Sequence, residues 1–450
     1  MNVLLLDDQA CFVNFALRCM KAGHHVKLCV AKDKKTKQRI RTGDGLVEKI
    51  ENEEWQKHAS WADLIVLADN DKWLRELDLF KKRGFPVFAP SLESAELELD
   101  RKKGQALLQK HGIKVMPYEA FSDFKKAEKY VRQKMTRLVS KPNNNAAREL
   151  SYVSESPADM VFMLQRWNQL GDLVKGEFLL QDYVKGVEIA VNGWLGPKGF
   201  LPWFEENAEH KPLMNDGKYV NTGETGTACK YVEGSQLANE LLLPLERDLI
   251  KTGHIGSVDL AVIVDENGDP RPLELTMRLG WPSWNIVQSL HPDPCEWMAH
   301  LIDGEDTFQP LDDHAIGVVM FQPPFPFDDF ITRCGGKIRS EVEGIPIYHL
   351  DDENPYRDGL APCDVMEGRA PAMVDGEIVD KRLMVSSGDY LVVATGTGDS
   401  VKTAKDQAYK AVDSLEIPNS VGYRTDIGDR LKKDLPVLQS HGFCLDWTYS

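Results

Sequence analysis

The chain has 450 residues, a length that predicts about three domains at roughly 150 residues each. Apolar residues make up 42% and charged residues 28%, the balance of a globular protein with a sizeable core. The formal net charge is −16, which argues against general nucleic-acid or anionic-membrane binding, because such proteins need a cationic surface. A local basic pocket remains compatible with this charge.

The eight cysteines are scattered and none forms a C-x-x-C pair, so neither a zinc ribbon nor a thioredoxin-type site is indicated. Scattered thiols in a large chain are typical of the reducing cytosol. The N-terminal sequence MNVLLLDDQ has no basic region and too short an apolar run for a signal peptide. Because no apolar run approaches the roughly 20 residues of a membrane span, we expect a cytoplasmic protein.

Residues 1–92 alternate short apolar runs with amphipathic stretches. The runs predict strands at Val3–Leu6, His25–Val30, Asp63–Ala68 and Pro86–Ala89, and the amphipathic stretches predict helices at 10–22 and 72–84. This alternation favours a parallel sheet covered by helices. Pro90 and Ser91 interrupt the pattern, and a charged helix is predicted over Glu93–His111.

From about 112 to 312 the sequence mixes apolar runs that predict strands with polar segments. Strands are predicted at Thr136–Ser140, Glu177–Asp182, Glu188–Trp194, Gly256–Val264 and Pro272–Met277. The polar segment 205–228 is predicted to be a long loop, and loops of that length are usually functional or disordered. Residues 313–450 begin with a predicted strand at Ala315–Phe321 and continue to a helix at 401–415.

The segment 256–280 predicts a hairpin with two different faces. Asn267-Gly268 between β-rich runs is typical of a two-residue type I′ turn, which pairs residues whose numbers sum to 535. One face is then apolar, with the pairs Val258–Met277, Leu260–Leu275 and Val262–Leu273. The other face carries Ser257, Asp259 and Ala261 against Arg278, Thr276 and Glu274.

On this polar face Asp259 is expected opposite Thr276 and diagonal to Glu274, within reach of a shared ligand. Hard oxygen ligands on a hairpin suit Mg²⁺, which takes one or two carboxylates together with phosphate oxygens. Arg278 beside them could hold a phosphate or carboxylate in a bidentate fork. The alternative is an ordinary half-exposed hairpin with an acidic surface.

The common phosphate-binding loops are absent from the sequence: there is no G-x-x-x-x-G-K-S/T and no G-x-G-x-x-G after a strand. TGTGDS at 395–400 is interpreted as a turn followed by a helix N-cap. Lys141, in LVSKP, ends an apolar strand. It is either a lysine that reaches nucleotide phosphates or a solvated strand end.

The order of these features resembles the ATP-grasp ligases, and more closely the glycinamide ribonucleotide synthetase (phosphoribosylamine–glycine ligase) family, over nearly the whole chain. LELDRKKGQALLQKHGI resembles the family's helix with a basic ATP contact, which falls on Arg101 or Lys102. RLVSKP resembles the strand whose lysine, here Lys141, reaches the phosphates. FLLQDYVKGVEIAV resembles the hinge, and the resemblance assigns the adenine pocket and ribose contact to Gln181, Asp182, Tyr183, Val184 and Glu188.

Further motifs carry the substrate and metal assignments. EHKPLMNDGKYVNTGETGTA resembles the family's D-H-K-R…G-P-N-T-G-G-M-G, with matches at His210, Lys211, Asn221, Thr222 and Gly223. LELTMRLG resembles E-F-N-x-R-F-G, so Glu274 and Thr276, joined by Asp259, take the metal positions, and Arg278 becomes the anion clamp. VSSGDYLVVATGTG and GYRTDIG resemble two signatures of the family's C-terminal domain. By this resemblance Lys211, Asn221 and Arg278 are catalytic.

The resemblance implies an α/β and α+β architecture of three parts. A doubly wound parallel-sheet domain spans 1–92, an ATP-grasp body with a lid subdomain at about 115–182 spans 93–312, and a small α+β domain spans 313–450. It also implies that ATP and Mg²⁺, or Mn²⁺, support formation of an amide from a small amino acid such as glycine and an amine, a reaction of purine biosynthesis. The expected partners are small molecules, and the expected state is a monomer or dimer.

Four departures from the family pattern bear on the acceptor and the lid. The family's first loop, G-x-G-G-R-E-H-A, is replaced by a segment that begins Asp7-Asp8, and two aspartates repel the phosphate that bare amides would bind. Trp281-Pro282-Ser283 replaces D-P-E, so Trp281 either contacts substrate or belongs to the core. The glycine-rich lid loop becomes 143–150, where Arg148 could replace a lysine, and Thr276 replaces the metal-site asparagine.

These departures leave two alternatives beside the ligase reading. The acceptor could be a different amine, such as a modified nucleotide or an amine without a 5-phosphate. The chain could instead be a degenerate nucleotide-binding scaffold. Joint retention of Lys141, Lys211, Asn221, Glu274 and Arg278 disfavours the scaffold, which has no need of that set.

Overall fold

The N-terminal segment forms the parallel sheet that its strand–helix alternation predicts. Its strands, in the order β3-β2-β1-β4-β5, are β1 (Asn2–Leu6), β2 (His25–Val30), β3 (Glu48–Glu51), β4 (Leu64–Leu67) and β5 (Val87–Phe88). Its helices are α1 (Val13–Lys21), α2 (Trp55–His58) and α3 (Leu74–Lys82). Strand β3 escapes prediction because the sequence EKIE is a short, charged edge strand without an apolar run.

The computed structural model describes residues 1–32, 39–52, 54–144, 146–327, 342–418 and 421–450. Among them, no helix combines the length and apolar character that crossing a membrane requires.

The single helix predicted over 93–111 is wrong, because the chain forms two helices there. They are α4 (Leu92–Leu99) and α5 (Arg101–Lys110), separated by Asp100 in an extended conformation (φ −107°, ψ 95°). The Asp100 side chain accepts a hydrogen bond from the Lys102 backbone N–H at 3.1 Å and so caps α5. The break between the helices leaves the Lys102 amide without a partner within a helix, and the Asp100 carboxylate accepts its hydrogen bond.

A four-stranded antiparallel sheet and two helices lie within the range predicted for the lid. In the order β6-β9-β7-β8, the strands are β6 (Tyr118–Phe121), β7 (Leu138–Pro142), β8 (Tyr152–Val153) and β9 (Phe178–Asp182). The helices α6 (Phe124–Lys134) and α7 (Pro157–Leu170) cover it and enclose a separate core around Trp167 and Phe178. The sheet therefore has a hydrophobic interior of its own, and its role as a lid stays a prediction.

The main sheet has eight strands in the order β16-β15-β10-β11-β14-β17-β21-β18. They are β10 (Gly186–Gly196), β11 (Gly199–Glu209), β14 (Gly226–Glu233), β15 (Gly256–Asp265), β16 (Pro270–Thr276), β17 (His314–Phe321), β18 (Leu360–Pro362) and β21 (Tyr390–Gly398). Three of these strands come from the range 313–450. The predicted C-terminal part and ATP-grasp body thus share one sheet, and the domain boundaries stay predictions.

The remaining elements surround this sheet. Two small two-stranded sheets pair β12 (Pro212–Met214) with β13 (Lys218–Asn221) and β19 (Val365–Val374) with β20 (Glu377–Ser386). The helices are α8 (Gln236–Leu241), α9 (Glu246–Lys251), α10 (Ser283–Val287), α11 (Glu296–Ile302), α12 (Val401–Asp413) and α13 (Leu431–Ser440). Short 3-10 helices lie at Arg148–Leu150, Gly171–Leu173, Asn215–Gly217, Leu243–Leu245, Gln288–Leu290 and Arg357–Gly359.

The polar segment 205–228 is not the long loop that its composition predicts. Its first residues continue β11, and Glu209 pairs with Thr227 of β14 in an antiparallel ladder. The middle of the segment folds back as the β12–β13 hairpin. The prediction failed because it assumes that polar residues are exposed, whereas Glu205 and Asn207 are buried strand residues.

The β15–β16 hairpin has the predicted pairing at one end and a different turn at the other. Asp259 faces Thr276 and Leu260 faces Leu275, as the sum of 535 requires. The type I′ turn is wrong: the Gly268 N–H donates to the Asp265 carbonyl across a wider loop, and a bulge after Ala261 restores the register. The Asp265 carboxylate accepts from two turn amides, which favours the wider loop.

The glycine-rich segment 395–400 is a strand end rather than a turn. Gly396 and Gly398 lie in β21, and a side chain at Gly396 would collide with the backbone of α12. The predicted N-cap is confirmed, because Ser400 accepts a hydrogen bond from the Thr403 N–H at 3.2 Å. Glycine is thus selected here by close helix–sheet packing rather than by phosphate.

Candidate active site

Lys211 lies at the centre of a cluster of charged side chains on the main sheet. Its Nζ donates to Glu188 Oε1 at 2.7 Å and to Glu209 Oε2 at 2.9 Å. Burial lowers the pKa of Lys211, but the charges of Glu188, Glu209 and Glu274 outweigh it and raise the pKa well above its ordinary value. The same pairing keeps the pKa of Glu188 below its ordinary value in spite of burial. Lys211 is therefore a permanent cation.

Lys141 extends from β7 of the four-stranded sheet toward the same cluster. Burial lowers the pKa of its ammonium to about 8, while the charge of Glu274 raises it and those of Arg101 and Lys211 lower it further. Lys141 lies in β7 and Lys211 in the segment between β11 and β12, and the charge of Lys211 acts on Lys141. Two cations in one cluster can offset the charge of a polyphosphate chain.

Glu274 of β16 joins this cluster through Arg101, the first residue of α5. Arg101 Nη1 forms an ion pair with Glu274 Oε2, and Arg101 Nε donates to the Pro142 carbonyl at 2.7 Å. The pKa of Glu274 lies well below its ordinary value, chiefly through Arg101, with Lys141 and Lys211 adding to the effect against burial. Glu274 is therefore ionised, as a metal ligand must be.

Asp259 lies opposite Thr276 and accepts a hydrogen bond from Asn207 Nδ2 at 3.2 Å. Burial, followed by the charge of Glu209, raises the pKa of Asp259 to about 8, and the charge of Glu274 raises it too. The two carboxylates are therefore close enough to repel one another. Their hard oxygen atoms and the Thr276 hydroxyl, on adjacent strands, fit a divalent cation, which would relieve that repulsion.

The predicted adenine-binding residues join the two sheets. Strand β9 ends at Asp182 and β10 begins at Gly186, so Tyr183 and Val184 form the connection. Gln181 is buried, Asp182 forms an ion pair with Lys134, and the Arg137 guanidinium lies 3.6 Å from the Tyr183 ring centroid. The connection lies where the resemblance places the hinge, and the hinge itself stays a prediction. The side chain of Arg148, assigned to phosphate by sequence, lies outside the described residues.

The motif at 210–223 contributes unequally to the cluster. Besides Lys211, the Thr222 hydroxyl donates to the Lys211 carbonyl at 2.8 Å and fixes the backbone there. His210 is buried, its Nε2 faces the Gly428 N–H at 3.3 Å, and burial lowers its pKa to about 3. Asn221 and Gly223 are exposed around the β12–β13 hairpin. The described contacts therefore give His210 a packing role and leave Asn221 at the surface.

Arg278, the predicted anion clamp, is already paired with acidic side chains. Its Nε lies 3.1 Å from Glu98 Oε1 and 3.3 Å from Asp69 Oδ1. Glu98 also accepts a hydrogen bond from the Met277 N–H at 2.6 Å. The charge of Glu98 dominates the rise in the pKa of Arg278. An incoming anion would have to compete with these two carboxylates.

Trp281 is half-buried between the N-terminal loop and β21. Its ring centroid lies 4.9 Å from that of Tyr390 and 5.7 Å from that of Phe12, and the Trp281–Pro282 peptide bond is cis. The ring contacts are those of a core residue, and the half-buried surface leaves room for a substrate contact. One part of the indole packs, and one part remains accessible.

The first loop is acidic in space as well as in sequence. Asp7 Oδ2 accepts a hydrogen bond from the Phe12 N–H at 2.6 Å, and burial raises the pKa of Asp7 to about 7. One carboxylate oxygen from each of Asp8, Asp69 and Asp71 lies within 4.8 Å of the others. The loop that would be expected to cradle a phosphate, together with the segment after β4, thus concentrates negative charge.

Several residues of the site were not predicted from the sequence. Glu205, Glu209 and Glu224 lie among the candidate metal and phosphate residues, and each influences the pKa of another. The sequence contained a signal for Glu205 and Glu209. Together with Asn207 they occupy alternate positions of β11 and so share one face of the strand. This signal was missed because the segment was predicted as a loop.

The chain is similar in sequence to known ligases. No family model matches the chain. It is 25% identical over 368 residues to a phosphoribosylamine–glycine ligase of Ralstonia nicotianae, covering 79% of this chain and 81% of the relative. It is 23% identical over 371 residues to one of Streptococcus pneumoniae, with 79% and 81% covered.

Solved structures give the same result for the fold. The phosphoribosylamine–glycine ligase of Thermotoga maritima superposes with a TM-score of 0.67 at 18% identity, over 95% of this chain and 100% of that chain. N5-carboxyaminoimidazole ribonucleotide synthetase of the same organism gives 0.55 at 14% identity, over 93% and 99%. The chain has the ATP-grasp ligase fold. Within that class it is a relative of the phosphoribosylamine–glycine ligases, which confirms the resemblance inferred from the sequence.

Proposed function

We propose that the chain is an ATP-dependent carboxylate–amine ligase of the phosphoribosylamine–glycine ligase type. The observation that carries this proposal is the convergence on one charged site of Lys141 from β7, Lys211 from the segment after β11 and Glu274 from β16. The names of the relatives supply the reaction. A purely structural role leaves this convergence of buried charges unexplained, because uncompensated burial of charge is costly.

In the first half-reaction, a carboxylate oxygen of the donor attacks the γ-phosphorus of ATP. The bond between that phosphorus and the β,γ-bridging oxygen breaks, which releases ADP and leaves an acyl phosphate. Lys141 and Lys211 are placed to offset the charge of the transferring phosphoryl group. The hinge at Tyr183 and Val184 would seat the adenine, so closure of the four-stranded sheet excludes water from the acyl phosphate.

Asp259, Glu274 and Thr276 would hold Mg²⁺, and Mn²⁺ would fit the same oxygen ligands. When bound, the ion supplies positive charge beside the phosphate oxygens. Glu274 also pairs with Arg101, so this carboxylate serves both the ion and the nearby helix end. That double role explains why the pKa of Glu274 is kept low before any ligand arrives.

In the second half-reaction, the amine nitrogen of the acceptor attacks the acyl carbon, the carbon–oxygen bond to phosphate breaks and the nitrogen loses a proton. The products are an amide and inorganic phosphate. Glycine is the proposed donor and phosphoribosylamine the proposed acceptor, after the relatives' name. Arg278 and Trp281 face the N-terminal loop, on the side where the acceptor would enter.

A direct test measures ADP release with purified protein, MgATP, glycine and phosphoribosylamine generated in the assay. The proposal expects ADP release that requires all four components and an amide product with equal stoichiometry. Absence of donor-stimulated ADP release across a broad panel of small amino acids would reject the ligase. ATP hydrolysis without an amide product would instead favour a nucleotide-binding scaffold.

One observation favours a variant of this function with another acceptor. The Asp8, Asp69 and Asp71 carboxylates occupy the place where an acceptor phosphate is expected, and Arg278 is engaged by Asp69 and Glu98. An amine without a 5-phosphate would avoid this repulsion. Parallel assays with phosphoribosylamine and unphosphorylated amines distinguish the two acceptors.

A further inference from the structure

Three side chains of the types that bind transition metals meet far from the candidate active site. One ligand atom from each of His24, Asp293 and Cys295 lies within 4.8 Å of the other two. His24 precedes the first residue of β2, whereas Asp7 follows the last residue of the neighbouring parallel strand β1, so the group and the first loop lie at opposite ends of these strands. The reaction outlined above uses none of the three residues.

The Asp293 carboxylate is held in place by the backbone that follows it. It accepts hydrogen bonds from the N–H groups of residues 295–297, at 3.0, 3.0 and 3.1 Å. A carboxylate has about four acceptor sites, so three amides leave one site for an ion. Pro292 and Pro294 flank Asp293 and fix the backbone φ on both sides. The carboxylate is thus oriented before any ligand arrives.

The buried ring of His24 has a different neighbour at each nitrogen. Nδ1 lies 3.1 Å from the Met1 amine, and Nε2 lies 4.0 Å from Glu296 Oε1. In the tautomer that suits a metal, Nδ1–H donates to the neutral amine and the lone pair of Nε2 is free for the ion. Imidazoles that bind metals are usually oriented by such a hydrogen bond from the second nitrogen.

A second thiol supports the sulfur of Cys295. Cys295 and Cys19, which lies in α1, are both fully buried, and their thiols are hydrogen-bonded to one another. Burial, followed by this contact, raises the pKa of Cys19 well above its ordinary value. Cys19 therefore stays protonated and can donate its S–H to a Cys295 thiolate, as groups around metal ligands commonly do.

The donor atoms decide which ion fits. Mg²⁺ and Ca²⁺ take oxygen ligands, whereas a thiolate, an imidazole and a carboxylate together suit Zn²⁺. In a tetrahedral zinc site the ligand atoms lie about 3.3–3.6 Å apart, so a group within 4.8 Å needs only a small contraction. The negative charges of the thiolate and the carboxylate offset that of the ion, which lowers the cost of burying it. Asp293 is partly exposed and so gives the ion a way in.

We propose that His24, Asp293 and Cys295 bind one Zn²⁺ and that the carboxylate of Glu296 is its fourth ligand. The Glu296 side chain is 58% exposed and already lies beside His24, so it can turn toward the ion. The ion would join the turn between α1 and β2 to the segment before α11 and so fix two parts of the chain that are distant in sequence. The inference does not rest on the proposed ligase function.

Co²⁺ is the probe, because it takes the same ligands as Zn²⁺ and gives a charge-transfer absorption when a thiolate binds it. The full chain is freed of metal with a chelator, kept reduced and titrated with Co²⁺. We expect one equivalent of Co²⁺ to produce the absorption. Zn²⁺ should then remove it by displacement, since nitrogen and sulfur sites bind Zn²⁺ more tightly than Co²⁺.

Variants separate this site from other thiols and from the candidate magnesium face. Cys295→Ser should abolish the absorption. Cys11→Ser is the matched control, because Cys11 is a more accessible thiol within the acidic first loop, and its loss should leave the absorption unchanged. Glu274→Gln should also leave it unchanged, because the candidate magnesium ligands are oxygen atoms alone.

Asp293→Asn provides a second test that does not depend on how the cysteine variant folds. Asparagine still accepts hydrogen bonds from backbone amides at this position but lacks the charge. Competition against a chromophoric chelator should show Zn²⁺ binding at least about tenfold weaker than in the wild type. Zn²⁺ should raise the thermal unfolding midpoint of the wild type and of Cys11→Ser more than that of Asp293→Asn, because an ion that binds the folded state stabilises it.

Three results would overturn the site. They are the absence of a charge-transfer absorption in the wild type, an absorption that survives Cys295→Ser, and a Zn²⁺ affinity of Asp293→Asn equal to that of the wild type.

Discussion

Asp259 lies directly opposite Thr276 in the ladder between β15 and β16, one face of which also carries Glu274. The three side chains come from a hairpin whose other face is buried apolar core. The sheet therefore holds them rigidly, and the ion pair between Glu274 and Arg101 ties this face to the start of α5. A chemical test of the site should begin with Glu274, because it connects the metal face to the cations.

Replacing Glu274 by glutamine should leave the protein folded and reduce turnover at least about tenfold. The amide keeps the shape of the side chain but loses the charge that faces Arg101, Lys141 and Lys211. The measurement is steady-state ADP release, with thermal unfolding as the check on folding. Glu266→Gln is the control, because its partner Lys185 and Glu266 itself are both exposed. Turnover like that of the wild type in Glu274→Gln would refute the metal assignment.

The protonation state of Lys141 should set an upper pH limit for ATP use. Burial lowers the pKa of this cation to about 8, so it is charged below that pH and becomes neutral above it. Because kcat/KM reports the free enzyme, kcat/KM for ATP should fall as the pH rises through about 8. Initial rates at limiting ATP from about pH 6.5 to about 9.5 would measure this decline, because that range brackets a pKa of about 8.

The control for this profile is Lys141→Arg, since a guanidinium stays protonated throughout the range. Its kcat/KM for ATP should be lower but flat above pH 8, where the wild type declines. If both proteins decline together, another group causes the limit and Lys141 does not carry the phosphate charge.

Asp69→Asn should improve the use of a phosphorylated acceptor. The substitution removes one negative charge from the cluster of Asp8, Asp69 and Asp71 and frees Arg278 from one of its two carboxylate partners. Both effects favour an incoming phosphate, so the KM for phosphoribosylamine should fall by about two- to fivefold. Asp71→Asn removes a charge from the same cluster without releasing Arg278 and should have the smaller effect. Equal KM values in all three proteins would show that the acceptor phosphate lies elsewhere.

The sequence predicted most elements that follow simple hydrophobic patterns. Strand β2 matches the predicted His25–Val30 to the residue, because an apolar run between turns has one way to lie in a buried parallel sheet. The pairing of Asp259 with Thr276 was also correct, although the turn that led to it was not. The wider turn shifts the strand register by one residue, and the bulge after Ala261 shifts it back, so that Asp259 still pairs with Thr276.

Other features depend on interactions that a local pattern cannot contain. Arg278 pairs with Glu98, 180 positions away, so a side chain predicted to bind an anion is already engaged by a carboxylate. Glu205 is buried in a strand although its type and neighbours favour a surface loop. A carboxylate is buried only where a ligand or neighbouring groups compensate for the loss of water. Such positions therefore depart from the rule that polar residues are exposed.

The burial of Glu205 should itself be visible in the stability of the protein. Burial raises the pKa of this carboxyl from its ordinary 4.5 to about 8, and the charge of Asp259 adds to the rise. The folded state therefore holds a proton that the unfolded state releases, so this group's contribution to the free energy of unfolding declines as the pH rises from about 4.5 to 8. Glu205→Gln removes that decline, because an amide does not titrate.

The expected result is a free energy of unfolding for Glu205→Gln that exceeds that of the wild type by an amount that grows with pH up to about 8, on the order of a few kcal/mol. Urea denaturation of both proteins between about pH 5 and 9 measures the difference, and Glu233→Gln should follow the wild type because its side chain is exposed. A gap that is independent of pH would mean that the pKa of Glu205 is not raised in the folded protein and would contradict the prediction.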